Sequence, residues 1–128
     1  MTVNDSSRLT EATVQDIQLE LIRRTQYNAF DGERVARGLK EHRDWWEAAL
    51  LVRTEPLLLI TLRDLPYNDW NADTLFILAR DEERARQLEQ IGNDEWAADV
   101  WVFDQDETER KLGTGGLDKQ RLVRMWWD

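Results

Sequence analysis

Apolar residues recur at helical spacing in the first third of the chain. Thr13 precedes one such run and Asp31 precedes another, and both residue types are favoured helix N-caps. The first helix is predicted to end near Arg24, and residues 25–30 are expected to form a connector. The apolar positions are Val14, Ile17 and Leu21 in the first run and Val35, Leu39 and His42 in the second.

The pattern over residues 45–53 fits either a strand or a short helix. Asp44 is a candidate cap for a helix at this point. The short spacer of residues 54–56 and the apolar run Leu57–Leu62 that follows it are typical of a β-hairpin instead. We therefore expect residues 45–53 and 57–62 to form the two arms of a hairpin.

Strand-like and helical runs alternate in the second half of the chain. Residues 74–79, 100–103 and 121–127 are short and largely apolar, which predicts strands. Asp81 is a candidate N-cap and Gly92 a candidate C′ residue, so a helix is predicted over residues 81–91. A charged turn over residues 104–111 and a glycine-rich mobile connector are expected before the last strand.

The order of these elements indicates an α+β fold rather than a doubly wound α/β fold. We predict two N-terminal helices and then a mainly antiparallel sheet of about five strands, interrupted by the helix over residues 81–91. A length of 128 residues suits a single domain, 1–128. Because several predicted strands are apolar on both faces, a homodimer is expected to cover part of the sheet.

Charge narrows the choice of partner. The net charge is −9, with a balance of −2 over residues 1–64 and −7 over residues 65–128. Nucleic-acid binding depends on cationic neutralisation of phosphates, so no nucleic-acid partner is expected. The run Pro56–Leu62 is too short to span a bilayer, so no membrane partner is expected either. A basic protein is the partner class that this charge favours.

Cysteine usage and the first residues bear on the compartment. The sequence contains no cysteine, which excludes disulfides, thiolate catalysis and cysteine-ligated metals. The first eight residues lack the basic start and apolar run of a secretory signal peptide. We expect a cytoplasmic protein.

One acidic segment follows a predicted strand. Asp104, Asp106 and Thr108 stand in an Asp-x-Asp-x-Thr pattern that resembles the first motif of haloacid-dehalogenase-type phosphotransferases. In that family the two aspartates are the phosphoryl acceptor and the general acid–base beside magnesium. The family's site also uses a later Ser/Thr, a lysine and an acidic pair. The 20 residues after Thr108 supply lysines but no acidic pair, so phosphatase activity is not expected.

A second acidic segment imitates a calcium loop. Asp69, Asn71 and Asp73 match the first three side-chain ligand positions of an EF-hand. Thr74 then stands where the loop needs glycine, and Arg80 stands where a bidentate glutamate closes the coordination shell. We therefore predict no metal site and no cofactor.

His42 is the one histidine of the chain. It lies on the apolar side of the second predicted helix, and no Gly-x-Ser-x-Gly nucleophile motif accompanies it. A partly buried structural histidine is therefore expected, and no catalytic residue is predicted.

Aromatic and amide residues cluster in the loop after the Leu-rich run. Tyr, Trp and Asn contact partners at low entropy cost, and loops commonly carry function. The alternative is that Trp70 folds back onto the core. The C-terminal tryptophan pair is a second candidate interface. The candidate partner- or ligand-binding residues are Tyr67, Asn68, Asp69, Trp70, Asn71, Trp126 and Trp127.

Taken together, these features favour a non-enzymatic protein-interaction module that binds a basic protein or a second copy of itself. The alternative is a small-molecule-binding or enzymatic domain that uses carboxylates and Trp or Tyr side chains in a pocket.

Overall fold

A computed structural model describes residues 9–128 and has the α+β architecture predicted from the sequence. Short 3₁₀ turns at Arg43–Trp45 and Leu65–Tyr67 join some of its longer elements. In chain order these elements are α1 Val14–Arg24, β1 Gln26–Tyr27, β2 Phe30–Asp31, α2 Gly32–Glu41, β3 Trp46–Val52, α3 Ile60–Asp64, β4 Thr74–Ala79, α4 Glu82–Asp94, β5 Asp99–Val102, α5 Gln105–Leu112 and β6 Arg121–Trp126.

The larger sheet is antiparallel and has the strand order β3-β4-β6-β5. Strands β4 and β6 are therefore central, and β3 and β5 are the two edges. Strands β1 and β2 form a separate two-stranded hairpin. The register places Leu51 opposite Leu75, Leu75 opposite Met125 and Met125 opposite Val100. Since side chains alternate between the faces of a strand, these four residues form one row on the same face.

That face is the inner face of the sheet, and α1, α2 and α4 pack against it. Each of these helices begins at the N-cap that the sequence predicted. The side chains of Thr13, Asp31 and Asp81 accept hydrogen bonds from backbone N–H groups three residues on, at 3.0, 3.2 and 2.7 Å. The buried core includes Leu19, Ile22, Val35, Leu39, Trp46, Leu51, Leu75, Ile77, Leu88, Val123, Met125 and Trp127.

The predicted hairpin is half right. Residues 46–52 do form a strand, but the predicted arm Leu57–Leu62 is wrong, because this segment is a series of turns followed by α3. Three successive leucines at residues 57–59 lack the alternation of a half-buried strand, and leucine is a good helix former. Strand β3 pairs with β4 instead.

Several predicted boundaries also move. Residues 25–30 include the start of the β1–β2 hairpin, and residues 104–111 hold α5 instead of a charged turn. The predicted C′ role of Gly92 is wrong, since helix α4 continues through this residue to Asp94. Gly92 is buried inside the helix. A Cβ at this glycine would lie 2.8 Å from Val100 Cγ2, so the glycine permits close packing of α4 on β5.

The buried stripe of α1 differs from the predicted one. Val14 and Ile17 are exposed, whereas Leu19 and Ile22 are buried. The side to which a short helix turns depends on its neighbours, here α2 and β3.

Candidate functional site

The outer face of the sheet carries large apolar side chains that remain in water. Leu50, Phe76, Arg124 and Trp101 form one row across the four strands. At the two ends of this row Leu50 is 43% exposed and Trp101 is 63% exposed. The sequence predicted apolar residues on both faces, and the structure places three helices on the other face. An exposed aromatic side chain on a sheet face is a candidate contact for a partner.

The β5 edge of the sheet is open. The Phe103 N–H donates to the Leu122 carbonyl at 2.9 Å, so alternate residues of β5 point their backbone groups toward β6. The register then directs the N–H and C=O groups of Val100 and Val102 away from the sheet. No hydrogen bond within residues 9–128 pairs these groups from the outside. We call this strand side the open edge.

The opposite edge, on β3, is closed by side chains. The Gln15 amide of α1 bonds both backbone groups of Ala49: its Nε2 donates to the Ala49 carbonyl at 2.8 Å, and its Oε1 accepts from the Ala49 N–H at 2.9 Å. Further along β3, the Trp70 indole N–H donates to the Leu51 carbonyl at 3.1 Å. These contacts occupy backbone groups that a further strand would need.

The part of the sequence that contains the open edge is rich in acidic residues. Residues 87–109 contain eight Asp or Glu and no Lys or Arg. Asp99 begins β5 and Asp104 follows it, both are exposed, and no salt bridge within the described residues involves either. Basic groups lie near the open edge as well. Arg124 lies opposite Trp101, and Lys111 lies 5.3 Å from the Phe103 ring centroid. Arg86 and Arg121 line a hollow with Asp104.

This site is not among the binding residues predicted from the sequence. Two signals in the sequence could have indicated it: the 23-residue window without a basic residue, and the apolar strand inside that window. What the sequence could not supply is the position of β5 at an edge, because strand order depends on long-range pairing.

The predicted binding loop is divided between surface and interior. Tyr67 is 79% exposed, and Asn68 and Asp69 are also exposed. Trp70 packs against the core, so the alternative of an inward-folded Trp70 is what the structure shows. The Asn71 amide donates to Asp64 Oδ2 at 2.8 Å, and its carbonyl oxygen accepts from Arg53.

The two C-terminal tryptophans lie in different surroundings. Trp127 is 1% exposed, its indole N–H donates to the Trp96 carbonyl at 2.6 Å, and its ring meets Phe30 edge-on. Trp126 is partly exposed, and its indole N–H donates to Asp73 Oδ2 at 3.2 Å. Of this pair, Trp126 is therefore the one that a partner can reach without unfolding the core.

Four of the six residues in the two acidic motifs, Asp104, Thr108, Asn71 and Asp73, have hydrogen-bond partners within the fold. Asp104 caps α5 by accepting from the Glu107 N–H at 2.9 Å, and buried Thr108 accepts from the Leu122 N–H at 3.0 Å. Asp73 accepts from Arg53 at 2.9 Å. No group of three or more His, Asp or Glu side chains in residues 9–128 is arranged to hold a metal ion.

His42 stacks on Trp45, with the ring centroids 3.8 Å apart and an interplanar angle of 20°. The histidine is partly buried beside this tryptophan, as expected for a structural residue.

The side chains whose pKa values are shifted are members of ion pairs, a helix cap and the half-buried Tyr27. Arg63 and Asn71 hold the pKa of the Asp64 carboxyl at about 2, and Arg23 lowers the pKa of Glu20 to about 2. Burial raises the pKa of Tyr27 to about 12, and the Tyr27 hydroxyl donates to the Trp127 carbonyl at 3.1 Å. These shifts belong to groups that fix loops and chain ends in place.

In the part of the chain that the structure describes, no helix combines the length and the apolar character that crossing a lipid bilayer requires. Comparison with known proteins gives no family: no protein-family model, no curated protein and no solved structure matches the chain.

Proposed function

We propose that this chain is a protein-interaction module that binds a basic protein through the outer face of its sheet. The observation that carries the proposal is the exposure of Trp101, which stands on the outer face of an edge strand whose free side is unpaired and which begins at the exposed Asp99. Exposed tryptophans of this kind are frequent energetic centres of protein interfaces. The net charge of −9 favours a basic partner, since opposite charge accelerates association.

Site-specific photocrosslinking in cells tests this proposal. A benzophenone amino acid is placed at Trp101, at Leu50 and, as a control, at Val14, which is 79% exposed on α1. We expect one basic protein to be crosslinked from position 101, and more weakly from position 50. Crosslinks from position 14 alone would contradict the proposed face.

The crosslinked protein must then bind in purified form. We expect Trp101→Ala to weaken its binding by about tenfold or more, as for a central aromatic contact. Equal affinity of the variant and the parent chain would show that Trp101 is not part of the interface.

Self-association is the second protein-binding possibility, and the exposed Leu50 half of the outer face is the observation that favours it. Light scattering at micromolar concentration distinguishes the cases, since a dimer doubles the measured mass. We expect Leu50→Lys to return any such dimer to the monomer mass, because it puts a charge into the apolar contact.

A small-molecule role is favoured by one hollow beside Trp126. It has a volume of about 820 Å³ and is also lined by Arg53, Arg124 and Leu58. Arg53 already bonds Asp73 and Asn71, so Arg124 and the Trp126 indole are the groups that suit a small aromatic carboxylate. Soaking crystals in a mixed set of such carboxylates tests this role, and a hollow that stays empty in every soak would contradict it.

A further inference from the structure

We infer that the partner adds an extended strand to the open edge, antiparallel to β5, and that this strand has an apolar or aromatic centre between basic residues. The inference rests on the proposed function and names the partner's conformation and chemistry. Its first support is the backbone: Val100 and Val102 each present an N–H and a C=O that nothing in residues 9–128 pairs. An added strand satisfies all four groups.

The antiparallel direction follows from the sheet itself. Every neighbouring pair of strands in it is antiparallel, and antiparallel pairing is slightly more stable per residue. In this register the added residues opposite Val100 and Val102 exchange hydrogen bonds with them. The residue between these two lies directly opposite Trp101, on the same face.

Charge defines the rest of the strand. Asp99 and Asp104 stand at the two ends of the edge, and five residues of strand span roughly 17 Å. Arg86 and Arg121 line the hollow beside Asp104, but Arg86 pairs with Glu89 and Arg121 donates to backbone carbonyls. Basic side chains at both ends of the added strand would therefore come within reach of two carboxylates that have no ion-pair partner within residues 9–128. Arg124 lies opposite Trp101 and repels a further cation, so the residue at the centre should be apolar or aromatic.

The same charges argue against a second copy at this edge. Antiparallel pairing of two β5 strands about Trp101 would bring Asp104 of one copy beside Ala98 of the other, close to Asp99. Like charges opposed in this way are destabilising. The basic strand is therefore the occupant that the edge fits best.

The test uses a synthetic probe of palindromic sequence, Arg-Thr-Arg-Thr-Tyr-Thr-Arg-Thr-Arg, with blocked ends. We expect it to bind the full chain at sub-millimolar concentration and to slow amide hydrogen exchange at Val100 and Val102 by about tenfold or more. Exchange at Ala49, whose N–H is already bonded to Gln15, should not change.

Two control peptides separate strand addition from general attraction between opposite charges. One is N-methylated at the two threonines beside tyrosine, which keeps the charge but removes the donors that face β5. The other replaces arginine by glutamate. We expect both to bind at least about tenfold more weakly. Equal binding of the N-methylated peptide would overturn the inference.

Two protein variants locate the contact. Trp101→Lys places a charge on the open edge, whereas Leu50→Lys makes the same change at the other end of the same row. We expect only Trp101→Lys to lose the probe, by about tenfold. Loss in both variants, or in neither, would overturn the inference.

The remaining outcomes separate this inference from the proposed function. No binding at millimolar probe, or binding without protection of Val100 and Val102, overturns strand addition. A crosslinked partner on the outer face would in that case still support an interaction module. Concentration-dependent protection of Val100 and Val102 in the protein alone would show that a second copy occupies the edge, and would also overturn the inference.

Discussion

The two edges of the sheet differ in whether their outward-facing backbone groups have hydrogen-bond partners. On β3, Gln15 reaches from α1 to bond both backbone groups of Ala49, and Trp70 reaches from a loop to bond the Leu51 carbonyl. On β5, the backbone groups of Val100 and Val102 have no such cover within the described residues. Hydrogen bonds from side chains occupy one edge, whereas the other is unpaired and has an exposed aspartate at each end.

This difference shows how a sheet can direct association to one side. Exposed strand edges invite unwanted pairing, and proteins commonly block them with covering elements or with charged residues. Covering excludes every added strand. Carboxylates at the two ends of an uncovered edge repel acidic strands and attract basic ones, so they select the partner by its charge.

The largest expected effect comes from removing Trp70. Trp70→Ala should lower the free energy of unfolding by about 2–3 kcal/mol, because a partly buried indole loses its packing and its bond to Leu51. Urea denaturation followed by circular dichroism measures the change. Trp101→Ala is the matched control, since it removes an exposed tryptophan. Equal losses in both variants would mean that Trp70 does not hold the closed edge.

The second prediction concerns Gln15. Gln15→Ala should cost about 1–2 kcal/mol, because both backbone groups of Ala49 lose their partner. Amide exchange at Ala49 should become faster, while exchange at Val100 stays the same. Gln90→Ala, at an exposed position of α4, is the control and should be neutral. Unchanged exchange at Ala49 would show that the glutamine amide does not close this edge.

These contacts also show where prediction from sequence reaches its limit. The caps Thr13 and Asp81 were predicted correctly because a capping side chain bonds a backbone group only three residues away. The closure of β3 joins residues 34 apart in one contact and 19 apart in the other. Such pairs depend on the topology, which local patterns do not encode.

The same distinction explains the candidate site. Local patterns, an aromatic loop and a C-terminal tryptophan pair, led to the prediction of Trp70 and Trp127 as contacts. The structure buries Trp127 and turns Trp70 inward. A tryptophan serves equally well as a core residue or as a contact, and only its position in the sheet separates the two. Trp101 was predicted as part of a strand, and its exposure became apparent only when β5 proved to be an edge.

The third prediction tests how the loop that carries Trp70 is held. The pKa of Asp64 is held at about 2 by Arg63 and Asn71. Its ionised form therefore stabilises the folded loop at pH values above the ordinary aspartate pKa of 3.8, and this stabilisation is lost as the pH falls from there through about 2.

We expect the Trp70 indole N–H signal in NMR spectra to shift over this acidic range. Asp64→Asn should remove that dependence, because its side chain does not titrate. Asp69→Asn in the same loop is the control and should titrate like the parent chain. An indole signal with the same acid response in all three proteins would contradict a role for Asp64 in holding the loop that carries Trp70.

The smallest expected effect on stability is at the open edge itself. Trp101→Lys should change the free energy of unfolding by no more than about 0.5 kcal/mol, since the indole is largely in water and covers little of the core. Phe76→Lys changes the same row on a central strand, where the side chain is partly buried, and should cost about 2 kcal/mol or more. Chemical denaturation of both variants gives the two values.

A large loss of stability in Trp101→Lys would mean that this tryptophan stabilises the fold. Its exposure would then be no evidence of a surface that is free for a partner. A small loss of stability in Trp101→Lys together with a large loss in Phe76→Lys would show a division of the outer face. Its centre stabilises the fold, and its β5 edge is available to a partner.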